Sequence, residues 1–273
     1  MRAINRQPSS GNRALLAALP FVVVAILYLI GSEIRLSENP NDKLLPSLSS
    51  FGNAISRMAF ESDPRTGDVL LWLDTGASLL RLGAAILVST LISLSAGIAI
   101  GLLPHVRALF ASFVAVVSMV PPLAILPILF IVLGLGEVSK ITLIVIGLAP
   151  VIIRDLSLRV EELPRQQLIK AQTLGASTFA IIQRVVLPQI LPRLIDSLRL
   201  SLGPAWLFLI AAEAIASESG LGYRIFLVRR YLAMDVILPY VAWITLLAFC
   251  MDLGLRQLQR LLFPWFAAAR SGS

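Results

Sequence analysis

Residues 161–192 read EELPRQQLIKAQTLGASTFAIIQRVVLPQILP, and the rest of the chain is best understood from this stretch. The pattern predicts a short helix, a break and a second short helix. Gly175 suits the end of the first helix, because glycine readily adopts the left-handed backbone found there. Ser177 stands where its hydroxyl can cap the next helix. Pro188 and Pro192 cannot continue a helix interior, so we expect them to end or bend the second element.

Long apolar blocks lie on both sides of this stretch. Of the 273 residues, 57% are hydrophobic and only 14% are charged, whereas soluble domains carry about 25% charged residues. Six blocks approach the ~20 residues that cross a bilayer as a helix. In chain order they are Ala14–Ile30, Leu79–Leu103, Phe110–Leu133, Val138–Ile153, Leu198–Ala216 and Val236–Leu255. We therefore predict an all-α integral membrane protein with about six transmembrane helices.

The basic residues orient these spans, because cytoplasmic loops of membrane proteins are rich in Lys and Arg. Arg224, Arg229 and Arg230 lie on the opposite side and break this rule mildly, but with six spans the other basic clusters fall on one side of the membrane. The clusters contain Arg2, Arg6 and Arg13 before span one, Arg107 after span two, Arg154 to Arg199 between spans four and five, and Arg256, Arg260 and Arg270 at the end. The opposite side receives the acid-rich residues 33–74. We expect both termini to be cytoplasmic.

This orientation predicts the following organisation of the chain. Residues 1–13 form a cytoplasmic N-terminus, 14–31 the first transmembrane helix and 32–78 a periplasmic loop with short helices. Residues 79–273 form the transmembrane domain, which includes a cytoplasmic loop over 154–197.

The composition argues against several other classes of protein. The net charge is +7, but the basic residues lie between apolar blocks and form no stripe with interleaved aromatics, so nucleic-acid binding is not expected. A membrane-embedded enzyme would need a nucleophile, base or metal cluster in the spans. The single histidine, His105, and the single cysteine, Cys250, are far apart in sequence. We therefore predict no catalytic residues and no metal site.

The stretch quoted above resembles the EAA loop of binding-protein-dependent ABC transporter permeases. That pattern is Glu-Ala-Ala, three residues, Gly, nine residues and Ile-x-Leu-Pro. Ala171, Gly175 and the run from Val185 to Pro188 match it without a gap. The sequence departs from the pattern where Ile169 replaces the motif's Glu and Lys170 its first Ala.

Other segments resemble nitrate/sulfonate/taurine-type permeases in particular. They are Val120–Ala124 (VPPLA), Gly134–Lys140 (GLGEVSK), Pro204–Trp206 (PAW) and Gly220–Tyr223 (GLGY). Two further phrases, Asn39–Ser47 and Arg224–Thr245, resemble a subgroup linked to urea-carboxylase-like gene clusters, which suggests urea- or guanidine-type substrates.

The resemblance implies a type I ABC importer permease fold that functions as a dimer, most simply of two copies of this chain. It also implies two ATPase subunits, which hold ATP and Mg²⁺, and a periplasmic substrate-binding protein. This chain has no phosphate-binding GxxxxGK[ST] motif, so it needs a partner to hydrolyse ATP. The implied ATPase-coupling residues are Leu168, Ile169, Lys170, Ala171, Gly175, Ala176, Leu187 and Pro188.

Candidate residues for the translocation path or gate are Pro121, Pro122, Pro204 and Glu213. The prolines of span three indicate either a simple kink or a broken helix that lines the path. A carboxylate at the depth of Glu213 is costly and usually has a partner. We expect a gate or an interhelix contact there, with attraction of a cationic substrate as the alternative.

Three basic residues beyond span five, Arg224, Arg229 and Arg230, could dock an acidic face of the binding protein. Contact with the headgroups of membrane lipid is an equal alternative. Likewise, the 161–192 stretch could be a basic surface loop against anionic lipid. A passive channel remains a rival function, although it would have no need of a coupling loop.

Overall fold

The computed structural model describes residues 9–39, 42–64 and 67–266, and these residues are helical wherever they form regular structure. Predicted positions Arg2, Arg6 and Arg270, and part of the Asn39–Ser47 phrase, lie outside the described residues. The helices are α1 (Ser10–Glu38), α2 (Leu48–Ala59), α3 (Leu70–Leu102), α4 (Pro104–Val117), α5 (Pro122–Leu133), α6 (Glu137–Glu161), α7 (Arg165–Thr173), α8 (Thr178–Ile181), α9 (Leu187–Ala216), α10 (Leu221–Arg229) and α11 (Met234–Leu262).

Five continuous helices in the described part of the chain are long and apolar enough to cross a bilayer. They are α1, α3, α6, the combined α8–α9 helix and α11. The predicted third span differs, because α4 and α5 form a pair bent by 97°. Pro121 immediately precedes α5 and Pro122 occupies its first turn. A broken helix rather than a simple kink is therefore the observed structure.

The long helices extend beyond their predicted bounds. The 33 residues of α3 span about 50 Å, well over the ~30 Å hydrocarbon core. Hydropathy marks only the part of a helix inside the lipid, and charged residues at its ends do not stop it. Because α6 continues to Glu161 and α8 begins at Thr178, residues 162–177 connect them, rather than the predicted 154–197.

Pro188 and Pro192 were expected to end or bend the second element, and the structure contradicts only the first alternative, because the helix continues through both prolines. A π-turn over Ile182–Val186 joins α8 to α9, and Pro188 follows in the first turn of α9. Proline is tolerated in a first turn, where its missing N–H removes little. Pro192 and Pro204 both lie inside α9. The result is one helix from Thr178 to Ala216.

Close packing of α3 against α6 forms the centre of the bundle. Along α3, Ser89, Ser93, Gly97 and Gly101 recur every fourth residue and are all buried. Small residues at this spacing let two membrane helices approach closely. A Cβ at Gly101 would lie 2.5 Å from the Cβ of Val160, so only glycine fits that contact.

The first helix stands apart from this bundle and is attached near its C-terminal end. The Tyr28 hydroxyl donates to the Pro46 carbonyl at 2.7 Å, the Ser32 hydroxyl donates to the Leu45 carbonyl at 3.0 Å, and Arg35 pairs with Asp42. Further along, an apolar groove of about 800 Å³ separates α1 from α2 and α11. The short helix expected in the acid-rich segment is present as α2.

We predict that Gly101→Ala destabilises the protein because the added methyl group overpacks the α3–α6 contact. Overpacking costs about 1–3 kcal/mol, which corresponds to a fall of about 3–10 °C in the thermal midpoint in detergent. Gly83→Ala is the matched control, because nothing lies within 4 Å of a Cβ at Gly83 on the same helix. Equal midpoints for the two variants would contradict the close packing.

Candidate functional site

Glu213, near the end of α9, is fully buried. Three donors from two other helices, α3 and α10, satisfy its carboxylate. Arg81 Nη1 lies 2.7 Å from Oε1, the Ser78 hydroxyl donates to Oε1 at 2.8 Å, and the Gly222 N–H donates to Oε2 at 2.9 Å. The predicted interhelix contact is therefore present, and it joins α9 to α3 and α10.

Asp74, one turn before Ser78 on α3, is also fully buried and has a matching set of donors. The Gly220 N–H donates to Oδ1 at 2.9 Å, Arg224 Nε donates to Oδ2 at 2.8 Å, and the Tyr240 hydroxyl lies 3.3 Å from Oδ2. Each of the two carboxylates thus receives an arginine, a hydroxyl and a backbone N–H. The contact between Tyr240 and Asp74 therefore joins α11 to α3 at this end of the bundle.

These contacts hold the N-terminus of α10. The N–H groups of Gly220, Leu221 and Gly222 donate to Asp74, Ser78 and Glu213 respectively. The first N–H groups of a helix lack intrahelical acceptors, and the helix dipole favours negative charge beside them. Two buried carboxylates and a hydroxyl therefore cap α10, which fixes it against α3 and α9.

Glycine is required at two of these positions for steric reasons. Gly220 has φ +127°, and a Cβ there would lie 2.5 Å from the carboxylate carbon of Glu213. At Gly222, a Cβ would lie 2.7 Å from the Ile210 carbonyl oxygen. The GLGY phrase noted in the sequence is therefore the turn that brings backbone N–H groups onto the two carboxylates.

Arg81 extends the cluster to α6. Its guanidinium donates to the Ser219 carbonyl at 2.7 Å and to Glu137 Oε1 at 2.9 Å, and Lys140 Nζ donates to the same Oε1 at 2.9 Å. The Glu213 network is defined here as Asp74, Ser78, Arg81, Glu137, Lys140, Glu213, Arg224, Tyr240 and the 219–222 turn. Its three cations balance its three carboxylates, as buried charges require.

Arg224 lies in α10, outside the long spans. Burial disfavours its charged form, but the hydrogen bond to Asp74 and the charge of that carboxylate outweigh burial and raise the pKa of Arg224 above its ordinary value. Arg224 thus remains cationic within the network. Arg224 is thus half-buried against Asp74, whereas Arg229 and Arg230 are exposed. Docking of a binding protein by these arginines stays a prediction.

A second candidate site is the elbow, defined as α7, α8 and the turn between them. Gly175 has φ +78°, and its N–H donates to the Gln172 carbonyl while the Ala176 N–H donates to that of Ala171. This pair of bonds is the Schellman motif that ends many helices. The Ser177 hydroxyl accepts from the Ala180 N–H at 3.2 Å. The predicted end of the first helix and the predicted cap are both confirmed.

Only some of the residues expected to contact the ATPase are exposed at the elbow and the start of α9. Leu168 and Ala171, expected to meet a partner, pack against the core of this chain. Ala176 and Leu187 do the same, while Lys170 and Pro188 are exposed. The exposed apolar side chains are Ile169 (57%), Leu174 (80%) and Phe179 (72%). Sequence reasoning missed Leu174 and Phe179, although large apolar residues in a polar connection could have indicated them.

The proline candidates do not join either site. Pro121 and Pro204 are exposed and Pro122 is half-buried, and none of them belongs to the Glu213 network. Among the described residues, no group of His, Cys, Asp and Glu could hold a metal ion. The chemistry that the structure offers is ion pairing and helix packing.

A family model described as "Binding-protein-dependent transport system inner membrane component" matches residues 89–267, which is more than half of the chain. The chain belongs to this family. It is therefore a multi-pass membrane component of a transport system and not an enzyme. The predicted resemblance to ABC transporter permeases is confirmed.

Individual relatives agree with the family. The taurine transport system permease protein TauC of Escherichia coli (strain K12) is 41% identical over 199 residues, covering 72% of each chain. The putative aliphatic sulfonates transport permease protein SsuC of the same organism is 33% identical over 147 residues, covering 54% of this chain and 56% of SsuC. These names match the predicted nitrate/sulfonate/taurine-type group.

The fold also matches a solved permease. A structure of the MetNI methionine ABC transporter, described as inward facing, aligns with a TM-score of 0.58 at 19% identity. The alignment covers 70% of this chain and 97% of the other. The predicted type I ABC importer permease fold is therefore confirmed.

We predict that Gly220→Ala disrupts the Glu213 network, because its methyl group would displace the Glu213 carboxylate from its donors. The expected loss is about 1–3 kcal/mol of stability, measured as a lower thermal midpoint of the purified permease. Gly134→Ala is the control for backbone strain, since Gly134 also has positive φ (+77°) but nothing lies within 4 Å of its Cβ. A Gly220 variant no less stable than the Gly134 variant would refute the steric argument.

Proposed function

We propose that this permease imports a small solute across the inner membrane, driven by an ATPase that engages the elbow. The observation that carries this proposal is the exposed apolar surface of Ile169, Leu174 and Phe179 on a rigidly capped turn. Isolated apolar side chains on a surface are common, but three large exposed ones within one short connection support contact with a protein partner. Ile169 also occupies the position of the Glu in the EAA pattern, so the contact here is apolar rather than ionic.

The elbow is proposed to face the cytoplasm, with both termini on that side. Basic residues concentrate at this end of the bundle, where Arg107 pairs with Glu161 and Arg159 pairs with Glu162. The Glu213 network lies at the opposite end of α9 and is proposed to face the periplasm. This arrangement satisfies the positive-inside rule.

The proposed assembly contains two copies of this chain, which form a homodimer. Its two further types of subunit are a pair of ATPases, which hold ATP and Mg²⁺ beneath the elbows, and a substrate-binding protein. The family name itself refers to a binding protein. The exposed residues Arg229 and Arg230 are proposed to dock the binding protein, with lipid headgroups as the competing partner. The Arg229 guanidinium lies 4.8 Å from the centre of the Phe226 ring. The break at Pro121–Pro122 is proposed to line the path.

The proposed substrate is a small solute with an anionic oxygen group, of the sulfonate or taurine type. The support comes from relatives named for taurine and aliphatic sulfonates. No feature of the described network or elbow favours a urea- or guanidine-type substrate, which stays a prediction of the subgroup resemblance. A passive channel would leave the apolar elbow without a use.

We predict that Gly175→Arg separates the permease from its ATPase while leaving it folded in the membrane. Nothing lies within 4 Å of a Cβ at Gly175, so the arginine points away from this chain and into the partner contact. The measurement is co-purification of the tagged permease with its ATPase in mild detergent. The expected result is at least a tenfold loss of ATPase.

Gly175→Asn is the matched control, because asparagine tolerates the left-handed backbone at this position. It should retain ATPase at close to the wild-type level. Retention of ATPase by the arginine variant, or recovery of the wild-type permease with no ATPase, would contradict the proposed role of the elbow.

A further inference from the structure

Glu137 is the one carboxylate of the Glu213 network with a substantially exposed side chain. Its side chain is 54% exposed, whereas those of Arg81 and Lys140 are 8% and 4% exposed. It nevertheless serves both cations, because its Oε1 accepts from Arg81 Nη2 and from Lys140 Nζ, each at 2.9 Å. An exposed carboxylate therefore covers two buried positive charges.

The location of Glu137 would favour any anion. It is the first residue of α6, and the preceding residue, Gly136, has no side chain with which to cap the helix. The N-terminus of a helix carries partial positive charge and exposes backbone N–H groups, so anions bind there readily. The 25-residue α6 thus adds its dipole to the charges of Arg81 and Lys140.

Charge counting shows what remains if Glu137 moves into solvent. Arg81 then keeps Glu213 as its carboxylate partner, whereas Lys140, whose ion pair is with Glu137, is left as one unbalanced positive charge. Arg81 itself would stay in place, because Glu213 and the Ser219 carbonyl still hold Nη1 at 2.7 Å each. The two cations would form a preorganised site with room for one monoanionic group in place of the carboxylate.

We propose that Arg81, Lys140 and the N-terminus of α6 form an anion subsite that Glu137 occupies at rest. The sulfonate or carboxylate group of a substrate displaces Glu137 and takes its place during passage. This inference rests on the proposed function and names the residues that would select an anionic solute. Glu137 acts as a tethered competitor, which keeps the subsite neutral when no substrate is present.

The test uses the purified permease and methanesulfonate as the probe, with binding measured by calorimetry. Glu137→Gln removes the competing charge while keeping the shape of the side chain, so we expect methanesulfonate to bind at least tenfold more tightly than to wild type. Adding Lys140→Met to that variant should reverse the gain. Glu61→Gln is the matched control, because it removes the same charge from an exposed residue in the α2–α3 connection, and its affinity should equal that of wild type.

A second measurement uses only the wild-type permease, so it tests the anion subsite even if the Glu137→Gln variant fails to fold. Methanesulfonate should raise the thermal midpoint of the wild-type permease more than dimethyl sulfone, its neutral analogue of similar size. Equal effects of the two probes, or equal affinities of the Glu137 and Glu61 variants, would overturn the subsite. Co-purification of the ATPase is a separate measurement. If no ATPase is recovered with the wild-type permease, the proposed function fails, whereas the methanesulfonate binding data test the anion subsite.

Discussion

The ion pair between Arg81 and Glu213 is the contact on which the rest of the structure depends. Both side chains are buried, and their bond joins the two longest helices of the bundle. Leaving either charge without its partner would cost about 3–5 kcal/mol. The fold meets this constraint by bringing α6 to Arg81 through Glu137 and the N-terminus of α10 to Glu213 through Gly222. Four helices are therefore fixed by one pair of charges.

The Arg81–Glu213 pair lies near one end of the helix that begins at the elbow. One helix runs from Thr178 at the elbow to Ala216, just beyond Glu213. Its 39 residues span about 58 Å, so a force applied at the elbow acts on an element that is rigidly held at the other end. Alternating access needs two global arrangements that a nucleotide can bias. In the proposed function, this helix would connect the ATPase contact at the elbow to the proposed anion subsite.

The sequence was sufficient for features that depend on local chemistry or on hydropathy. The membrane class, the end of α7 at Gly175, the cap at Ser177 and the need of Glu213 for a partner all follow from single residues and their neighbours. The partners of Glu213 could not be predicted, because Arg81 lies far away in the chain and only the packed bundle brings them together. For the same reason, Arg224 looked like a surface residue although Asp74 holds it inside.

Helix boundaries were the other limit. Hydropathy cannot show that α6 and α9 continue beyond the lipid, since their charged ends form ion pairs or reach water without breaking the backbone. The proline rules predicted either an end or a bend near Pro188. The helix does not end there, because a π-turn at Ile182–Val186 leads into α9 and Pro188 lies in its first turn. At Pro121 and Pro122 the same rules allowed either a kink or a break, and the chain breaks between α4 and α5.

The most direct test of the account is uptake of radiolabelled taurine into proteoliposomes that contain the permease with its ATPase and binding protein. We expect taurine to accumulate above the external concentration when ATP is supplied on the elbow side, and not to accumulate without ATP. Equilibration of taurine at the same rate with and without ATP would contradict the account, because it would show a channel rather than an ATP-driven importer.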